Sequence, residues 1–241
     1  GISISSALAD PVRYASELAV IRGADSTADA LKVRANNRTY FSSGVQSVVG
    51  LRLNAAAFRN ALEFGVRYHR DEEDRFQHED GFQMREGRML LTSAGDGGSQ
   101  SNRVSGARAL AFFVEDKVEW GRWTVTPGFR YEHINLRRID FSRTDPGRIT
   151  PTRIRRNRVD VIVPGVGLTF DFSPEFALFG GVNKGFGPPG PGSSEETEAE
   201  ESINYEGGFR YSKRSLSVEA LGFFNDYSNL LGSDLAAAGG T

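Results

Sequence analysis

The sequence predicts an all-β chain, an antiparallel segment of about eight strands from a transmembrane β-barrel. Three observations lead there. Apolar and polar residues alternate with a period of two, the alternating stretches run past ten residues, and the connections between them are short and long in turn. Successive side chains of a strand face opposite sides, so period-two patterning means one face meets an apolar medium and the other a polar one. In a membrane barrel these media are lipid and a wet lumen.

Composition agrees with this class. The 241 residues contain 28 Gly and 11% aromatics, and the apolar runs stay short, Ala109–Val114 being among the longest. A membrane helix needs ~20 consecutive apolar residues, so helical spans are excluded. The mean hydropathy of -0.39 fits a barrel, whose apolar residues are diluted by every second position. There is no Cys, hence no disulfide framework and no thiolate site.

The elements follow in order. Residues 10–39 carry no clean period and read as a long loop with one helical turn at most. From Tyr40 onward Phe41, Ser43, Val45, Ser47, Val49, Leu51 and Leu53 form one face, against Ser42, Gly44, Gln46, Gly50 and Arg52. The next strand sets Leu62, Phe64, Val66 and Tyr68 against Glu63, Gly65, Arg67 and His69. Residues 104–119 and 124–140 form a hairpin around Trp120-Gly-Arg-Trp123. Residues 159–172 turn at Ser173-Pro-Glu175 into 176–185, and a last pair turns at Ser212-Lys-Arg214.

Alternate connections span only a few residues, whereas 71–103, 141–157 and 186–202 are long and polar; 10–39 and the Gly- and Ala-rich 228–241 read as further long loops. Outer-membrane barrels sort their connections in this way, with short turns inside and long loops outside. Trp120, Trp123, Phe172, Phe176 and Tyr211 gather at the short turns, where a membrane interface favours aromatic rings.

Two stretches carry a family resemblance: Asn183-Lys-Gly-Phe-Gly-Pro-Pro189 and Glu201-Ser-Ile-Asn-Tyr-Glu-Gly-Gly-Phe-Arg-Tyr211. They resemble the barrel of TonB-dependent receptors. The stretches Leu62-Glu-Phe-Gly-Val-Arg-Tyr-His69 and Thr126-Pro-Gly-Phe-Arg-Tyr-Glu132 look similar to the ferric dicitrate branch. The resemblance implies a 22-stranded barrel around an N-terminal plug, importing a ferric chelate with energy from the TonB-ExbB-ExbD complex. Iron would enter only as part of the cargo, with no tightly bound cofactor. Neither a plug, a TonB box nor a signal peptide is recognisable here, so the chain reads as a partial barrel. Outer-membrane lipid and lipopolysaccharide are the further partners expected, and nucleic acid is not.

The densest charge lies in and around 141–157. Arg137, Arg138, Arg143, Arg148, Arg153, Arg155, Arg156 and Arg158 face only Asp140 and Asp145; eight arginines less two aspartates leave +6. Such a field concentrates anions, and guanidinium forks match carboxylates in pairs. Arg137, Arg138, Arg143, Arg153, Arg155, Arg156 and Arg158 are therefore candidates for capturing an anionic ferric carboxylate. The same side chains suit lipopolysaccharide phosphates, and acidic loops at Asp71–Asp74 and Glu195–Glu201 offer pairing that would absorb charge. His69, His78 and His133 stand in no recognised catalytic or metal spacing. A transporter is thus the leading expectation; an outer-membrane hydrolase and a soluble all-β binding module are the alternatives.

Overall fold

The computed structural model describes residues 2–55 and 57–229. The alternating stretches fold as strands: β1 (Leu31–Ala35), β2 (Arg38–Asn54), β3 (Arg59–Arg85), β4 (Arg88–Ser93), β5 (Ser101–Trp120), β6 (Trp123–Phe141), β7 (Pro151–Ser173), β8 (Phe176–Gly187), β9 (Glu200–Lys213) and β10 (Leu216–Ser228). They form one sheet in the order β1-β3-β5-β6-β7-β8-β9-β10, with β2 and β4 also paired to β3. No helix among the described residues is long and apolar enough to cross a membrane.

The described residues divide into two units, one of 2–40, 73–104 and 139–154, the other of 41–72, 105–138 and 155–229. In the first, two short helices, α1 (Ile4–Ala9) and α2 (Ala15–Ile21), bury Ala7 and Leu18. The Oγ of Ser3 accepts the Ser6 N–H at 3.0 Å and so caps α1. The far part of β3 pairs with β1, Leu31 opposite Phe82, and with β4 through a tight turn at Glu86 and Gly87. Both turn residues have positive φ, 51° and 73°, the geometry that matches strand twist in a hairpin.

This hairpin corrects the expected loop at 71–103. Asp, Glu, Arg and His occupy both faces of residues 70–80, so no apolar period marks the strand, yet its backbone ladder continues to Arg85. The other loops shorten likewise. Residues 10–39 hold α2, β1 and the start of β2; β7 begins at Pro151 and β9 at Glu200. The loop expected at 228–241 lies outside the described residues beyond Asn229.

The second unit sorts its faces as a membrane strand requires. Phe129, Ile162, Val166, Leu168, Phe172 and Leu178 stay exposed on one side. Gly128, Gly165, Gly167, Gly181 and the polar Arg130, Glu132, Asn183 and Glu206 occupy the alternate positions. On β7 the apolar series 162–172 is about as long as one tilted crossing. At the short turns a chain of rings runs Trp123–Phe170, Phe170–Phe172, Phe172–Phe176 and Phe176–Phe209, with centroids 4.4 to 5.9 Å apart. β10 closes the order of the sheet with its whole length exposed, and β2 is exposed throughout as well. The sheet is therefore an open piece of a barrel, since an edge left unpaired in lipid costs several kcal/mol per backbone group.

Candidate anion-binding site

Strand alternation decides where the arginines go. On β7 the odd positions 155, 157, 159 and 161 face a small apolar core of Ile134, Leu136, Val159 and Val161, onto which Phe186 and Ala199 pack. Arg155 and Arg138 belong to this side. Arg155 Nη1 donates to the Gly192 carbonyl, and Arg138 Nη1 lies so near Gly192 that a Cβ there would stand 2.7 Å from it. Glycine lets the loop approach both guanidinium groups. Asn157, 4% exposed, donates Nδ2 to the Ser194 and Thr197 carbonyls at 2.6 and 3.0 Å. Its Oδ1 and the Nε of Arg155 are buried without a hydrogen-bond partner. The Arg155 Nε–H is a donor that an anionic group could satisfy, whereas the Asn157 oxygen calls for a donor.

Arg137, Arg156 and Arg158 project from the opposite face, all exposed. Beside them Asp160 accepts from Tyr131 Oη at 2.6 Å, pairs with His133 Nδ1 at 2.7 Å and accepts from Arg158 Nε at 2.7 Å. The hydrogen bond from His133, then those from Tyr131 and Arg158, hold its carboxyl well below the usual carboxylate range. In the first unit Arg143 and Arg153 are exposed. Arg148 is neutralised: Nη1 and Nη2 grip both Asp74 oxygens at 2.8 and 2.6 Å. The arginines grouped by sequence are thus divided among two faces and two units.

A contact that spacing in the sequence does not reveal lies between β2 and β3. Ser42 Oγ is 3.1 Å from His69 Nε2, and His69 Nδ1 is 3.3 Å from Asp71 Oδ2. Gly44 makes the room, because a Cβ there would sit 3.3 Å from the His69 ring. Nearby, Arg67, His69, Ala109, Arg130, Glu132 and Leu136 line a concavity of about 250 Å³, with Arg130 and Glu132 ion-paired. Among the described residues no cluster of three His, Asp or Glu could hold a metal ion.

Solved structures share the fold of this chain. The chain superposes on the ferric citrate transporter FecA in its unliganded form with a TM-score of 0.66 at 20% identity, over 81% of this chain and 29% of that one. The ferric-catecholate import receptor Fiu from K12 E. coli gives 0.64 at 12%, over 80% and 32%. The siderophore receptor PiuA from Acinetobacter baumannii gives 0.59 at 11%, over 79% and 32%. The chain thus spans about a third of the length of these structures. Residues 10–241 match the family described as TonB dependent receptor-like, beta-barrel, and the chain belongs to that family of outer-membrane barrels.

Proposed function

We propose that this chain is part of an outer-membrane receptor and active transporter for a ferric chelate, ferric citrate or a ferric siderophore, energised through TonB-ExbB-ExbD. Family membership supports the class, and the ferric citrate transporter FecA and the ferric-catecholate import receptor Fiu are named for cargoes of this kind. The observation that carries the anionic cargo is the Arg138–Arg155 pair under the 190–197 loop, with the Nε donor of Arg155 left open. Arg143 and Arg153 lie in the first unit, where they are exposed and remain separate candidates for anion capture. A chelate carboxylate would meet guanidinium groups in a partly desolvated setting, where charged hydrogen bonds are strong.

The test is ferric citrate and ferric siderophore binding to the receptor that contains this chain, by tryptophan fluorescence across a salt series. Replacing Arg138 and Arg155 together by Gln weakens binding at least tenfold and flattens its salt dependence. Unchanged affinity and salt slope would reject the pair as the anion site. Uptake, but not binding, ceases in cells without TonB.

A hydrolase is the second reading, favoured by the Ser42–His69–Asp71 series. Acyl transfer also needs preorganised donors converging on an oxyanion. Ser42 lies within β2, where successive N–H groups point to opposite edges and do not converge. A fluorophosphonate probe labelling the wild type and not Ser42→Ala would revive this reading.

A further inference from the structure

β4 presents an open edge within the first unit. β1 and β4 both pair with Gly81 and Phe82 of β3, so they lie on opposite edges of it, and β4 shares the edge that carries β5. Strands that complete the barrel extend the sheet at its ends, beyond β1 and β2 on one side and β10 on the other, and not at β4. Among the described residues β4 pairs with β3 alone, and all six of its residues are exposed. The residues flanking a two-residue turn, here Arg85 and Arg88, exchange both ladder bonds, and every second pair beyond them does the same. Met89 and Leu91 therefore turn their N–H and C=O away from β3. Thr92 ends this edge, because the ladder shifts register there and Thr92 Oγ1 donates to Asp29 at 2.6 Å. A free edge of this kind accepts a further strand.

The side chains beside this edge select its occupant. The pleat sets Met89 and Leu91 on one face, 49% and 57% exposed, and Arg88 with Leu90 on the other. Arg85 and Arg88 stand directly opposite each other, and neither has an ion-pair or side-chain hydrogen-bond partner among the described residues. Like charges so placed repel, and a carboxylate between them relieves the repulsion. Arg22, exposed and equally unpartnered, precedes Gly23, where a Cβ would lie 3.4 Å from the Gly87 Cα of the turn. The acids near the turn are Asp25 and Glu86, and Asp25 Oδ1 already takes the Glu86 N–H at 2.7 Å. Pairing β4 with the β4 of a second copy would gather both sets of arginines, so the charge selects against it. A strand with carboxylates on one face and apolar side chains on the other fits instead, the carboxylates beside Arg88 and the apolar groups on Met89 and Leu91.

We infer that β4 docks an extended acidic segment of another protein as an added strand, with Met89 and Leu91 supplying the main-chain bonds and Arg85 and Arg88 the charge. The inference does not depend on which chelate is carried. Fluorescence polarisation tests it, with the receptor that contains this chain in nanodiscs and a labelled heptapeptide of alternating Glu and Val. Alternate N–H groups of the peptide are methylated so that it cannot pair with itself. The peptide binds the wild type and slows amide exchange at Met89 and Leu91, while its Lys–Val counterpart binds at least tenfold more weakly. R85Q/R88Q weakens binding at least fivefold. Leu91→Pro removes an outward N–H, spares the ladder to β3 and weakens binding at least tenfold. Both variants still bind ferric chelate like the wild type and still show the heat-dependent gel shift of a folded barrel. Should Leu91→Pro fail to fold, Met89→Pro is measured in its place, with the same loss expected. Equal peptide binding by either folded variant, or equal binding of the Lys–Val peptide, overturns the assignment. So do Met89 and Leu91 amides already protected in the free receptor, or a receptor dimer that Leu91→Pro dissolves, since either gives the edge another occupant.

Discussion

Arg148 and Asp74 form a two-pronged ion pair at 2.6 and 2.8 Å, and the guanidinium is packed between the rings of Phe76 and Phe141, 4.7 and 5.6 Å away. Arg148 Nε also donates to Asn102 Oδ1 at 2.7 Å, while Asn102 Nδ2 donates to the Ser142 and Asp145 carbonyls. Arg148 has a φ of 54°, which a non-glycine residue adopts at a cost of about 1 kcal/mol. The contacts offset that cost. The pair thus ties the 142–150 loop to β3 and β5.

Arg148→Lys would keep the charge and lose both the fork and the stacking. Because both side chains remain partly exposed, solvent screening limits the loss to roughly 1–2 kcal/mol, confined to the loop. Hydrogen exchange at 142–150 then speeds up about tenfold, with no change in the β8–β9 amides. Equal exchange in the loop would show that the pair is incidental.

Asn157→Ala removes the two hydrogen bonds that hold the carbonyls of Ser194 and Thr197. Loss of a buried amide with two partners costs roughly 1–3 kcal/mol. The affected quantity is closure of the loop over Arg138 and Arg155, so protease cleavage within 190–197 accelerates at least fivefold while the barrel resists as before. Cleavage at the wild-type rate would mean the loop is held by other contacts.

The same residues show how much was legible in the sequence. Strands that touch lipid were, because lipid imposes a strict period on Phe129, Ile162 and Val166. The extension of β3 past Asp71 was not, since charged and polar residues fill both faces of 70–80 and leave no hydrophobic alternation to read. The arginine cluster was visible as charge but not as geometry. Arg155 and Arg156 are neighbours in sequence, yet the pleat sends them to opposite faces, and only a fixed strand phase separates the lumen face from the lipid face. Asp74 was recognisable as one acid among several; that it meets Arg148 depends on a loop conformation with no local signature.

Asp29 gives a pH prediction. Its Oδ1 accepts from Ser93 Oγ at 2.7 Å and from Thr92 Oγ1 at 2.6 Å, and these bonds lower its pKa below the ordinary 3.8. A depressed carboxyl stabilises the fold above the unfolded value and loses that contribution as pH falls through the folded value. The link between Asp29 and β4 therefore holds at pH 5 and above and weakens below about 3.8. Amide exchange at Thr92 and Ser93, normalised for intrinsic rates, rises across that window in the wild type. In Asp29→Asn it is raised at every pH and flat. A flat wild-type profile would refute the link.

Gly207 and Gly208 are adjacent on β9 and predict opposite outcomes. A Cβ on Gly208 would lie 2.1 Å from the Ala220 carbonyl and 3.0 Å from the Phe179 ring, so Gly208→Ala forces the β9–β10 ladder apart. Overpacking of this kind costs roughly 1–3 kcal/mol. A Cβ on Gly207 meets nothing nearer than the Phe179 carbonyl at 3.8 Å, an ordinary contact. There Ala restricts the unfolded chain without strain and stabilises by roughly 0.4–1 kcal/mol. Urea unfolding of the two variants in lipid vesicles should move the midpoint down for Gly208→Ala and slightly up for Gly207→Ala. The opposite order would mean that the close approach of β10 falls at Gly207 and not at Gly208, and that the β9–β10 register is shifted by one residue.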